Sequence, residues 1–103
     1  MSVRPPSIYS GANPQDALFD ALQHEVQGEK ASSLGRAGRL AEEALARLAM
    51  NTEPALRDEL LRQAAKAVYA YFIQRELCGF RRHQDVIREL GIPSAVLARL
   101  GAV

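Results

Sequence analysis

A single helical pattern dominates the chain and runs from about residue 14 to residue 50. It begins at Asn13-Pro14, where the asparagine can cap a helix and the proline suits the first helical position. Because no segment alternates apolar and polar residues, we predict no strand and an all-α fold. The apolar residues of the long helix recur at steps of three, four or eight, which places them on one face; they are Leu18, Leu22, Val26, Leu34, Ala37, Ala41, Leu45 and Leu48.

Three glycines lie around a polar gap in the middle of this helix. Each costs about 1 kcal/mol relative to alanine in a helix interior. Two interpretations are open: either the helix breaks near Gly28, or the small residues form a ridge where the backbone of another helix comes close. The spacing of three and four favours the ridge, a candidate interaction surface that comprises Gly28, Ala31, Gly35 and Gly38.

A second helix is predicted from Asn51-Thr52-Glu53-Pro54, where the asparagine or the threonine can cap it, to about Cys78. Gly79 follows as a left-handed cap. Residues 68–73 are apolar almost all round, so we expect them to be buried on every side as the centre of the core. Tyrosine hydroxyls and a guanidinium could also line a ligand pocket there, and the candidate pocket residues are Tyr69, Tyr71 and Arg75.

The last 22 residues, Arg82 to Val103, have the layout of a helix-turn-helix. Short helices are predicted over about 82–90 and 93–100, with Gly91-Ile92-Pro93 between them. Reading DNA requires polar or cationic side chains on the second helix, which offers only Ser94 and Arg99. Together with Arg82 of the preceding segment, these are the candidate DNA contacts. We therefore interpret the hairpin as a lid over the aromatic core, with DNA recognition as the alternative.

The lengths of the two main helices suggest an oligomer. At 1.5 Å per residue, a helix over residues 14–50 is about 55 Å long and the second about 39 Å long. Because a compact domain of about 100 residues has a radius of gyration of about 13 Å, one short hairpin cannot cover the whole apolar face. We expect a homodimer in which two long helical hairpins form a four-helix bundle, with the short C-terminal helices at its ends.

The chain has the size of one domain, which we place at residues 14–103. Residues 1–13 contain two prolines and show no periodicity. We expect them to form a flexible N-terminal arm, either disordered or lying on a neighbouring surface.

The composition argues against most catalytic and metal chemistry. One cysteine, Cys78, cannot form an intrachain disulfide, so we expect a reducing, cytoplasmic compartment. One cysteine and two histidines are too few for a zinc site, and no phosphate-binding or nucleophile motif occurs. The net charge of +1 provides no broad attraction to nucleic acid, and no apolar run is long enough to span a membrane. We predict no catalytic residue, no metal and no cofactor, and hence no enzyme.

The stretch from Tyr71 to Gly79, continuing through Gly91-Ile92-Pro93 to residues 96–101, resembles a small family of uncharacterised bacterial proteins. The segment from Glu29 to Gly38 resembles the same family. The resemblance covers about residues 14–101 and implies an all-helical domain that stands alone. Because the family has no assigned activity, the resemblance transfers no functional residue.

Three functional hypotheses follow. The first is a non-enzymatic, oligomeric interaction or scaffold module that forms a homodimer and could bind a further protein through the ridge and the N-terminal arm. The alternative is a DNA-associated regulator that uses the hairpin over residues 82–101. The third is a small-molecule-binding helical domain built around the candidate pocket.

Overall fold

The computed structural model describes residues 14–101, and within them the chain forms four helices and no strand. Helix α1 is Pro14–Met50, α2 is Pro54–Leu77, α3 is Gln84–Leu90 and α4 is Ser94–Leu97. The prediction of an all-α fold is confirmed. The predicted arm over residues 1–13 lies outside the described residues.

The chain divides into two compact units, Met1–Lys30 and Ala31–Val103. In the first unit, every described residue belongs to α1 and is exposed. The second unit contains the rest of α1 and the other three helices, together with the hydrophobic core. The single domain over residues 14–103 stays a prediction.

Helix α1 is continuous through its glycines, so the alternative of a break near Gly28 is wrong. Its buried residues all lie in the second unit: Ala41, Ala44, Leu45 and Leu48. The N-terminal part of the predicted apolar face is not buried, since Leu18, Leu22 and Val26 are each at least half exposed.

The ends of α2 and α3 are set by glycines in the left-handed region. Gly91 has φ 62°, and Gly79, the predicted left-handed cap of α2, has φ 99°. After α3, the backbone N–H of Ile92 donates to the carbonyl of Ile87 at 3.0 Å, which closes the last turn around the glycine. Because the bonds beyond α4 join residues three apart, as from the N–H of Leu100 to the carbonyl of Leu97, the regular helix ends at Leu97 instead of residue 100.

The cap of α2 and the start of α3 differ from the prediction. The residue before α2 is Glu53, and no side chain caps the helix. The side chain of Asn51 instead bonds both backbone groups of Glu53, accepting from its N–H at 3.0 Å and donating to its carbonyl at 2.8 Å. This short turn leads the chain into Pro54. Helix α3 starts at Gln84, two residues later than predicted.

The core lies between α1, α2 and the C-terminal hairpin. Val86, Ile92 and Val96 of the hairpin belong to it, which confirms the interpretation of the hairpin as a lid. The expectation that residues 68–73 are buried on every side is wrong within the single chain, because these partners cover one side of α2 and leave Tyr69 and Ile73 exposed. The buried residues are Ala41, Ala44, Leu45, Leu48, Leu61, Ala64, Ala65, Val68, Phe72, Val86, Ile92 and Val96.

We expect Gly91→Ala and Gly35→Ala to change stability in opposite directions. An added Cβ at Gly91 meets nothing within 4 Å, so alanine there suffers only the strain of a positive φ, about 1 kcal/mol. Gly35 lies inside α1, and its Cβ would make only an ordinary 3.5 Å contact with the Arg39 guanidinium. Alanine should therefore stabilise the helix by up to about 1 kcal/mol. Urea unfolding measures both changes, and shifts of the same sign would contradict the assignment.

Candidate functional site

The predicted ridge of small residues has different surroundings along its length. The Tyr71 ring lies against Gly38, where an added Cβ would be 3.2 Å from Cε1 of the ring. Among the described atoms, a Cβ at Gly28 would meet nothing within 4 Å. One end of the ridge thus admits a tyrosine ring within the chain, and the use of Gly28, Ala31 and Gly35 as a partner surface stays a prediction.

The three predicted pocket residues make contacts within the chain, and their use as a ligand pocket stays a prediction. Tyr71 packs on Gly38, whereas the Tyr69 ring lies beside Gly101. Arg75 holds the chain that follows α2, since its Nε donates to Nδ1 of His83 at 3.1 Å and its Nη2 donates to the carbonyl of Arg82 at 3.0 Å. None of the three lines the grooves described below.

His83 is a structural residue that the sequence analysis missed. Its ring stacks on Phe72 with the centroids 4.2 Å apart and the planes 6° from parallel. Because Nδ1 accepts a hydrogen bond from Arg75, the proton of the neutral ring is on Nε2, which lies 3.2 Å from Oε2 of Glu76 and donates to it. These contacts join the end of α2 to the start of α3, and no local motif in the sequence signals them.

The hairpin offers little that could read DNA. Its second helix, α4, is only four residues long. The guanidinium of Arg99 lies 2.8 Å from the Asp58 carboxylate on α2, so this side chain already has a partner within the chain. Arg82 and Ser94 are exposed, and their contact with DNA stays an untested prediction.

An apolar groove with a volume of about 400 Å³ lies between α1 and α2 in the second unit. Half of its lining residues are alanines, whose small side chains let a large side chain approach the helix backbones. Leu40 is 59% exposed beside it, and Arg47 and Lys66 bring positive charge. We call this surface the alanine groove, and its lining residues are Ala37, Leu40, Ala44, Arg47, Gln63, Lys66, Ala67 and Ala70.

Two other surface grooves are more polar. One, of about 490 Å³, has Glu42, Arg57 and Glu89 among its lining residues. The other, of about 410 Å³, lies at the end of α2 and includes Glu76 and Arg81. Neither combines a nucleophile with a base, so neither suggests a reaction.

Four large apolar side chains lie exposed on the part of α1 that belongs to the first unit. Their exposed fractions are 50–62%. At about 100° per residue, they fall within an arc of about 100° on one helix face. A contiguous exposed apolar surface marks an interaction site more often than scattered apolar residues do. We call this surface the apolar stripe, and its residues are Leu18, Phe19, Leu22 and Val26.

The chain segments that contain the two surfaces have net charges of opposite sign. Residues 14–30 contain four carboxylates and one lysine, which gives a net charge of −3 with His24 neutral. Residues 31–103 contain eleven basic and eight acidic side chains, a net charge of +3. Within residues 14–101, Arg47 and Lys66 at the alanine groove have no ion-pair partner.

The remaining ionisable groups of residues 14–101 form no metal-ligand cluster, and one carboxylate among them has a shifted pKa. The Gln63 amide and the Arg62 guanidinium hydrogen-bond the carboxylate of Glu59 and hold its pKa below its usual range. In the described part of the chain, no three histidine, cysteine or carboxylate side chains come together as metal ligands. None of the helices described has an apolar stretch long enough to cross a membrane.

Comparison with known proteins identifies a family but no function. No curated protein and no solved structure matches the chain. The model of a family of unknown function, DUF6665, matches residues 1–103. The expected resemblance to an uncharacterised family is confirmed, while a bacterial origin stays a prediction. The chain belongs to the DUF6665 family of unknown function.

Proposed function

We propose that the protein is a non-enzymatic interaction module that associates with itself as a homodimer in the cytoplasm. The observation that carries this proposal is the apolar stripe, in which four large side chains are half or more exposed on a single helix face. Burying such side chains releases about 1.5–3 kcal/mol each when they go from fully exposed to fully buried. The stripe is therefore a surface that gains stability from a partner.

The first unit gives a second reason to expect a partner. Its described residues form a segment of α1 in which every residue is exposed. Short helices are marginal in water, and most helical stability in proteins comes from packing an amphipathic face. A partner that covers the stripe supplies this packing.

A second copy of the chain is the simplest partner, because symmetric homodimers are the commonest oligomers of soluble proteins. Cys78 is not part of a disulfide, which is compatible with a reducing compartment. Self-association explains the exposed apolar side chains without requiring a chemical step.

The test compares Leu22→Glu with Ala17→Glu. Leu22 lies within the stripe, whereas Ala17, five positions earlier, lies about 140° around the helix and is also exposed. Both variants add the same charge to the same helix. Because a symmetric dimer carries the change twice, we expect Leu22→Glu to raise the dimer dissociation constant about 100-fold or more, the equivalent of about 1.4 kcal/mol per copy.

Light scattering after gel filtration gives the mass of each variant, and far-UV circular dichroism checks that helix α2 and the core remain folded. Ala17→Glu should stay dimeric at the concentration at which Leu22→Glu is monomeric. Equal behaviour of the two variants would show that the stripe is not the interface.

A further inference from the structure

We infer that the apolar stripe of one copy docks into the alanine groove of a second copy, whose stripe occupies the groove of the first. This inference rests on the proposed self-association and names the contact that produces it. A two-fold axis would make both contacts identical, so each copy contributes one stripe and one groove.

The two surfaces are complementary in size. The stripe presents a phenylalanine, two leucines and a valine, whereas the groove contains four alanines. Large side chains that face small ones can interdigitate without leaving voids. Two stripes facing each other would bring bulky side chains together, and two grooves facing each other would leave space unfilled.

Charge points to the same pairing. Glu25 and Glu29 follow Leu22 and Val26 by three positions, so they lie on the same helix surface and flank the stripe. Arg47 and Lys66 lie at the groove and have no ion-pair partner among residues 14–101. A stripe in a groove brings opposite charges together, whereas pairing two stripes or two grooves brings like charges together.

A photo-cross-link tests the docking directly. Phe19 is replaced by p-benzoylphenylalanine, which keeps an aromatic group in the stripe, and the unlabelled variant is mixed with ¹⁵N-labelled wild-type chain. After exchange, irradiation and digestion, mass spectrometry should find light–heavy peptide pairs that join residue 19 to groove residues such as Leu40 or Ala67. The same photoreactive residue at position 17, which lies away from the stripe, should give few such pairs.

The outcomes separate this inference from the proposed function. If the sample is dimeric but residue 19 cross-links to residues 14–30 of the labelled chain, only to its own chain, or to nothing, the docking is wrong and self-association stands. If the mixed sample is monomeric by light scattering, both proposals fail. Light–heavy pairs that end at the groove support both.

Discussion

Phe72→Ala should lower the free energy of unfolding by about 3–5 kcal/mol, the range for removing a large aromatic side chain from a core. The Phe72 side chain is buried between α2 and its neighbours, and its ring also stacks on His83 at 4.2 Å. The substitution therefore leaves a cavity and removes the face on which the imidazole rests. For a domain of this size, each kcal/mol corresponds to about 4–8 °C in Tm.

The matched control is Phe80→Ala. Phe80 is 47% exposed, and the Arg75 guanidinium lies 4.7 Å from its ring centroid. Losing such a contact costs about 0.5–1 kcal/mol at an exposed site. Both variants are measured by urea unfolding at one protein concentration, because the proposed dimerisation would make apparent stability depend on concentration. If Phe72→Ala costs no more than Phe80→Ala, the position assigned to Phe72 in the core is wrong.

Val96→Asp should be comparably damaging, at about 3–5 kcal/mol, because it places an unpaired carboxylate where the valine is fully buried. Val96 belongs to α4, the last helix of the lid, so we expect this helix to separate from α2 before the rest of the core unfolds. Hydrogen exchange should show lost protection at Leu97 and Ala98, whose N–H groups bond Pro93 and Ser94 in the wild type.

Ala98→Asp provides the control for this prediction. Ala98 is exposed two positions after Val96, and a surface substitution of this kind changes stability by about 0.5 kcal/mol or less. A thermal melt of the two variants separates the effects. Similar melting temperatures would contradict the burial of Val96 and, with it, the role of the hairpin as a lid.

The helix boundaries were largely predictable because local chemistry sets them. Pro14 and Pro54 open α1 and α2, and Gly79 and Gly91 close α2 and α3 with positive φ. The end of α4 was not predictable. The residues after Leu97 are still compatible with a helix, and the helix ends there because the following hydrogen bonds join residues three apart instead of four.

The orientation of the aromatic segment depended on tertiary structure. Residues 68–73 are apolar on all sides, so periodicity alone could not separate buried Val68 and Phe72 from exposed Tyr69 and Ile73. The position of α1 and the hairpin decides which side of α2 is covered. For the same reason, the contacts of His83 with Phe72 and Arg75 could not be predicted from the sequence, since they depend on how the helices pack.

Of the two candidate surfaces, the apolar stripe was predictable from the sequence and the alanine groove was not. The apolar pattern of Leu18, Leu22 and Val26 identified a helix face that needs a partner, and the structure leaves this face exposed. The alanine groove could not be found from sequence, because it forms only where residues of α1 and α2, more than fifteen positions apart, come together. Alanine is also common in helices for its propensity alone, so it carries no signal of an interface.

Sedimentation equilibrium of the wild-type chain across the micromolar range tests the proposed self-association most directly. We predict an average mass that approaches twice the 11.3 kDa of one chain as concentration rises. A mass that stays at 11.3 kDa at every concentration would contradict self-association.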